Sequence, residues 1–141
     1  MQRNRMELRF VSLSQNESFA RAAAAAFAAQ LNPTIEELAD IRTAVSEAVT
    51  NAIVHGYDSR TEGIVTLICE ISGDSFTAKI SDMGCGIADI VQARQPLYTS
   101  KPEQERSGMG FAVMEAFMEE VEVQSAPGRG TTVTLRKRIT R

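Results

Sequence analysis

Apolar and polar positions change period several times along this chain, and each change marks an element. Met6, Leu8 and Phe10 alternate with polar Glu7 and Arg9, the period-two pattern of a half-buried strand. Ser14-Gln-Asn-Glu17 then reads as a capping box, in which a serine oxygen and a glutamate satisfy reciprocal backbone donors at a helix start. The spacing predicts a first helix from Gln15 to Leu31, whose alanine run at 22–26 has high helix propensity and permits close packing. Asn32-Pro33 breaks it, and Thr34-Ile-Glu-Glu37 offers a second capping box. The helix that follows carries Leu38, Ile41, Val45, Ala48, Val49 and Ala52 on one face and is expected to end at Gly56, a residue type favoured at helix C-termini.

A second, polar column shares that helix. Glu47, Asn51 and His55 recur at four-residue intervals and drift by only about 40 degrees from one to the next at helical spacing. An amphipathic helix needs no such column for packing.

Beyond a polar loop from Tyr57 to Gly63, IVTLICEI and SFTAKIS read as two strands joined by the hairpin signal Ser72-Gly73-Asp74. SDMGCGIADI turns out of the second strand into a short helical segment, and QPLYTSKPEQERS (95–107) has two prolines, mixed charge and no apolar period, as a loop does. A third main helix from Gly108 to about Glu119, a strand VEVQSA, a turn at Pro127-Gly-Arg-Gly130 and a last strand TTVTLRKR complete the chain. The fold class is α+β: one domain over residues 1–141, with helices on one face of a mixed, mostly antiparallel sheet.

Composition changes this picture little. A chain of 141 residues with 43% hydrophobic and 23% charged residues is expected to build one real core. No apolar run is long enough for a bilayer span and MQRNRMELRF lacks a signal-peptide pattern, so a soluble, cytoplasmic protein is expected, off the membrane. Net charge of −3 speaks against direct nucleic-acid binding. The basic end RKRITR reads as a solvated strand end, and Cys69 and Cys85 as reduced thiols.

Three separated pieces carry the chemistry: E-x-x-x-N-x-x-x-H-G on the second helix (Glu47 to Gly56), D-x-G-x-G leaving a strand (Asp82 to Gly86) and S-G-M-G opening a helix (Ser107 to Gly110). Each alone is also what a polar helix face or a turn looks like. In this order they resemble the N, G1 and G2 boxes of the GHKL ATPases, which implies a GHKL-type sandwich holding ATP or ADP with Mg2+ between helices and sheet. Magnesium takes oxygen ligands and usually only one or two from protein, so Asn51 can supply a carbonyl oxygen. Glu47, one turn earlier, is placed to accept a proton as general base. Asp82 ends a strand, and the resemblance implies that it accepts the adenine amino group; Gly84 and Gly86 let backbone approach a flat ligand. The resemblance extends the nucleotide contacts to Thr131, to Thr99 and Ser107, and to Gly108 and Gly110, whose amides at a helix start form an anion site. Lys101 and Arg106 could screen phosphate charge or simply solvate the loop. His55 is expected to cap or pack at the helix end.

LSQNESFAR, SEAVTNAIVHGY, ARQPLYTSKPEQERSGMGF and GTTVTL together resemble, along essentially the whole chain, the sporulation anti-sigma-F family of small GHKL serine kinases. That resemblance implies a homodimeric, ATP-dependent serine kinase that binds and holds off a sigma-F-type sigma factor and phosphorylates an anti-anti-sigma protein. It also implies a partner contact at Arg21. A stress-response sigma regulator would share the same ATP residues, and a non-catalytic nucleotide-dependent sigma-binding module would keep them without phosphoryl transfer.

Overall fold

The computed structural model describes residues 3–58, 60–84, 86 and 110–140. Among these, five strands form one sheet in the order β1-β2-β3-β5-β4: β1 (Arg3–Val11), β2 (Ile64–Ser72), β3 (Ser75–Asp82), β4 (Glu120–Ser125) and β5 (Thr131–Arg138). All four pairings are antiparallel. The helices are α1 (Gln15–Ala28), α2 (Ile35–Asn51) and α3 (Gly110–Phe117), and α2 packs against both α1 and α3. The short helical segment expected after Asp82, the loop at 95–107 and the start of the third helix at Gly108 lie outside the described residues.

The period-two signal decides which way each strand faces. Val65, Leu67, Cys69 and Ile71 of β2 and Phe76, Ala78 and Ile80 of β3 are buried, and they meet Ile41, Ala44, Val45, Ala48 and Val49 of α2 in one core. Ala20, Ala24, Ala25 and Ala28 give α1 a small-residue buried face, the close packing that the alanine run suggested. Burial also pushes the Cys69 thiol up to about 12, so it behaves as an inert core residue.

Helix ends are set by local chemistry. α1 tightens into a 3-10 turn at Ala29–Leu31 and stops at Asn32, which takes the left-handed conformation at φ 53°. The capping box expected at Ser14 is absent. Ser14 is itself in the helical region and makes no side-chain cap bond, while Glu17 turns to Arg21 one turn on, at 3.4 Å. The entry into α1 is instead fixed by the Asn16 side chain, which donates to the Val11 carbonyl at 3.0 Å.

The capping box at Thr34 forms in full. Thr34 Oγ1 accepts from the Glu37 amide at 3.0 Å, and Glu37 Oε1 accepts from the Thr34 amide at 2.9 Å. Glu37 Oε2 accepts in addition from the amide (2.8 Å) and hydroxyl (3.0 Å) of Thr140, which ties the chain's C-terminal stretch to the start of α2.

In the basic cluster of β5 only Lys137 is drawn into the fold, while Arg136 and Arg138 stay at the solvated surface that the sequence suggested. Lys137 Nζ donates to the Phe117 carbonyl at 2.9 Å, where it caps the end of α3, and lies 3.4 Å from Asp40. Arg136 reaches Glu120 and Glu122, and Arg138 reaches Asp74.

The Glu37 contacts make acid sensitivity local. Hydrogen bonds, first from the Thr140 amide and then from the Thr34 amide, hold this carboxyl at about 2 rather than the ordinary 4.5. A lowered native value means that its contribution is present above about pH 4.5 and is lost as pH falls toward 2. Glu37→Gln is therefore expected to weaken the domain by about 1 kcal/mol at pH 7, the typical worth of a cap, and by less at pH 3. Urea denaturation of both proteins at the two pH values checks this.

Candidate functional site

The inward face of β3 reads Phe76, Ala78, Ile80 and then Asp82. Strand periodicity thus puts a carboxylate where the next core hydrophobe would stand, and Asp82 is only 6% exposed. It accepts from the Gly84 amide at 2.9 Å and from the Thr131 amide on the paired strand β5. A carboxylate offers about four lone-pair positions, so these two donors leave acceptor capacity for a ligand N–H. Burial dominates its titration and pushes the carboxyl from 3.8 up to about 6, against the downward pull of the two amides.

The second helix reaches this aspartate by changing its pitch. α2 ends at Asn51 and continues as a π-helical turn from Ala52 to Gly56. Gly56 was expected as a helix C-cap, yet its φ is not positive, and its lack of a side chain has a different cause. A Cβ at this position would lie 2.6–2.7 Å from the Asp82 carboxyl atoms, so only glycine lets the turn sit directly on the carboxylate. The reciprocal constraint acts at Gly84, where a Cβ would lie 1.7 Å from the Gly56 carbonyl oxygen. Gly86 and Gly130, both at positive φ, press against the Ala126 and Asp82 carbonyls in the same way. The glycines of the D-x-G-x-G segment, read from the sequence as room for a ligand, make room for neighbouring backbone as well.

The π turn also edits the polar column. Glu47 and Asn51, both half-buried on α2, keep the α-helical spacing, whereas half-buried His55 lies in the wider turn and leaves that register. π turns inserted into helices occur frequently at functional sites. Thr131, the first residue of β5, shares a hydroxyl contact of 2.8 Å with Ser125, whose hydroxyl donates to the Gly130 carbonyl at 2.9 Å. Gly110 is the buried first residue of α3, against α2. Thr99, Lys101, Arg106, Ser107 and Gly108 lie outside the described residues. Arg21 belongs to a different surface, on α1, in its ion pair with Glu17.

The structure thus gathers Gly56, Asp82, Gly84, Gly86 and Thr131 at one end of the sheet, beneath the helix that carries Glu47 and Asn51. Tyr57 joins them, although the hydropathy pattern assigned it to a polar loop. It is buried, and its hydroxyl lies between Ile64 and Met83. No signal in the pattern distinguishes it from an exposed loop tyrosine; only its position next to Gly56 does.

Comparison with known proteins gives a consistent placement. The family model described as "Histidine kinase-like ATPase domain" matches residues 11–137. An anti-sigma F factor of Thermoanaerobacter sp. is 60% identical over 136 residues, which is 96% of this chain and 94% of that protein. The anti-sigma F factor of Geobacillus sp. is 59% identical over 139 residues, 99% of this chain and 95% of that one. The anti-sigma F factor of Clostridium beijerinckii is 56% identical over 139 residues, with coverage of 99% and 97%. A crystal structure of the RsbU and RsbW domains of a Mycobacterium tuberculosis protein matches with a TM-score of 0.71 at 23% identity, over 98% of this chain and 33% of that chain. That last likeness is one of fold.

The raised value at Asp82 has a sign that can be measured. Because the native carboxyl holds its proton more tightly than the unfolded one, its favourable contribution is complete below about pH 3.8 and is lost as pH rises through about 6. Asp82→Asn does not titrate there and keeps a carbonyl oxygen for the Gly84 amide. Its stability relative to the parent is expected to improve between pH 3.5 and pH 8 by an amount on the order of 2 kcal/mol. Denaturant midpoints at the two pH values read it directly.

Proposed function

We propose, because this chain belongs to the anti-sigma F factors within the histidine kinase-like ATPase domain family, that it is an ATP-dependent protein serine kinase that holds a sigma factor and phosphorylates that factor's antagonist. The observation that carries this reading is the Asp82 carboxylate in an inward core position, buried against Gly56 and retaining unspent acceptor capacity. A buried, partly satisfied carboxylate costs stability above pH 6, and an adenine amino group is the kind of donor that would offset this.

The side chains present suit a magnesium nucleotide. Among the described residues no three His, Cys, Asp or Glu side chains are grouped to hold a metal by themselves, so the donor set favours an ion held mostly by phosphate oxygens and water, with one oxygen from Asn51. When bound, ATP with Mg2+ supplies an activated γ-phosphoryl group. Asp82 accepts the adenine amino N–H and Thr131 flanks it. Glu47, one turn before Asn51 on the same helix, takes the proton from the attacking serine hydroxyl onto its carboxylate. Gly84 and Gly86 let backbone approach the base, and the family resemblance assigns Gly108 and Gly110 to an anion site for the phosphates. Lys101, Arg106, Thr99 and Ser107 complete the phosphate contacts.

The partners in this reading are a sigma-F-type sigma factor and an anti-anti-sigma protein whose serine is the phosphoryl acceptor. Arg21, held toward Glu17 on α1, contributes to their binding surface, and the working unit is a homodimer in the cytoplasm. No described helix is long and apolar enough to cross a membrane. If closure over ATP and opening with ADP present two conformations of different affinity for sigma factor, nucleotide state biases which partner is held.

Two experiments test these assignments. Purified protein incubated with radiolabelled ATP, Mg2+ and an anti-anti-sigma substrate is expected to place label on serine. Glu47→Ala should lower the rate by a factor of about 100 or more with ATP binding kept, and Asn51→Ala should lose label together with Mg2+-dependent ATP affinity. Normal ATP binding without labelled product would leave a nucleotide-dependent sigma-binding module in place of a kinase. Sigma-factor affinity measured with ATP and with ADP is expected to differ, and equal values would sink partner switching.

A further inference from the structure

We infer that the Tyr57 hydroxyl is a positioning group that fixes the distance between the site helix and Asp82, and thereby sets selectivity for adenine; this rests on the nucleotide reading of the site. Tyr57 directly follows the π turn, and its amide closes that turn by donating to the Ala52 carbonyl at 3.0 Å. Its hydroxyl donates to the carbonyl of Ile64, the first residue of β2, at 2.5 Å and accepts from the Met83 amide at 2.7 Å. Its ring lies so close over Gly63 that a Cβ there would come within 2.6 Å of the ring carbons. Its carbonyl accepts from both the amide and the Nε of Arg60, at 2.9 and 3.2 Å. Every polar atom of this residue is engaged, and its two ends grip different segments.

Met83 is the informative partner. It stands between the adenine-reading carboxylate and Gly84, yet the residue is 80% exposed and contributes no core packing to hold the backbone. Position here is set by hydrogen bonds: the Asp82 carboxylate receives the Gly84 amide, and the Tyr57 hydroxyl receives the Met83 amide. The segment also lies in hard contact with the π turn, since Gly84 has no space for a Cβ beside the Gly56 carbonyl. Tyr57 therefore belongs covalently to the site helix and is bonded to the strand end that carries Asp82. Without the hydroxyl, the Met83 amide is left unbonded in a part-buried place, and the local way to satisfy it is for residues 82–84 to move outward. A shift of a few tenths of an ångström spoils a hydrogen bond to a ligand while leaving the core stripe Phe76, Ala78 and Ile80 in place.

Tyr57→Phe keeps the ring over Gly63 and removes only the hydroxyl. Binding of ADP and GDP to both proteins is measured by calorimetry well below the melting temperature, and protection of the Met83 amide is followed by hydrogen exchange. The expected result is an ADP affinity reduced about 10-fold, with GDP affinity changed less than 3-fold, so that adenine preference narrows. Met83 exchange should quicken while Ile80 exchange does not. A lowered melting temperature with unchanged ADP affinity and ADP-to-GDP ratio would reduce Tyr57 to a structural residue and overturn the inference. Should the variant not fold, the parent protein decides it: the Met83 amide must be protected and gain protection with ADP, and an unprotected amide overturns the inference. A parent that binds neither nucleotide refutes the nucleotide reading itself, a result distinct from a parent that binds ADP and a variant that binds it equally well.

Discussion

The contact between Gly56 and the Asp82 carboxylate is the constraint on which the rest of the site depends. The carboxyl at the last inward position of this central strand is closed over by neighbouring backbone, an approach that side chains would prevent, and the Gly84 and Thr131 amides offset part of the water it loses. Gly56 and Gly84 face each other across this point with no space for a Cβ on either side. The π turn brings Gly56 there. An α-helical continuation of α2 would rotate residues 52–56 differently over the sheet, so the departure from regular helix is where the helix layer is fitted to the strand end.

The scaffold beneath is arranged to keep that fit rigid. α2 lies between α1 and α3 and over a sheet whose central strands alternate strictly, so its buried residues Ile41, Val45, Ala48 and Val49 leave it little freedom to slide. Its two ends are secured by different chemistry. At the start, Glu37 joins the capping box to Thr140; at the end, Tyr57 joins the π turn to β2 and to the residue after Asp82. Lys137 adds a tie from β5 to α2 and α3, through Asp40 and the Phe117 carbonyl. Of the basic end that the sequence suggested was solvated, Lys137 alone is committed to this junction.

Much of the fold could be read from periodicity, because burial on one face imposes a period of two on strands and 3.6 on helices whatever the partners are. The hairpin at Gly73, the stop at Asn32 and the Thr34 capping box were also legible, since each is a local preference satisfied by neighbouring residues. Ser14-Gln-Asn-Glu17 shows the limit: the same four-residue pattern was present, but Glu17 had Arg21 within reach and Ser14 entered the helix itself, so the box did not form. The π turn was not legible either, because nothing in AIVHG distinguishes it from an ordinary last turn; the need to bring Gly56 onto Asp82 decides it.

For the site, the order of residues along the chain already supplied the types available: a Glu and an Asn one turn apart on a helix, an Asp leaving a strand, and glycines beside it. Those are properties of spacing along the chain, and spacing is all that local geometry needs. Strand periodicity already turns Asp82 inward, but only the packed chain pushes its carboxyl up to about 6, brings the nearby glycines against neighbouring backbone, and buries a tyrosine of apparent loop character between three segments. Each of these depends on atoms distant in sequence meeting within hydrogen-bond or van der Waals range, and no pattern along one chain encodes that distance.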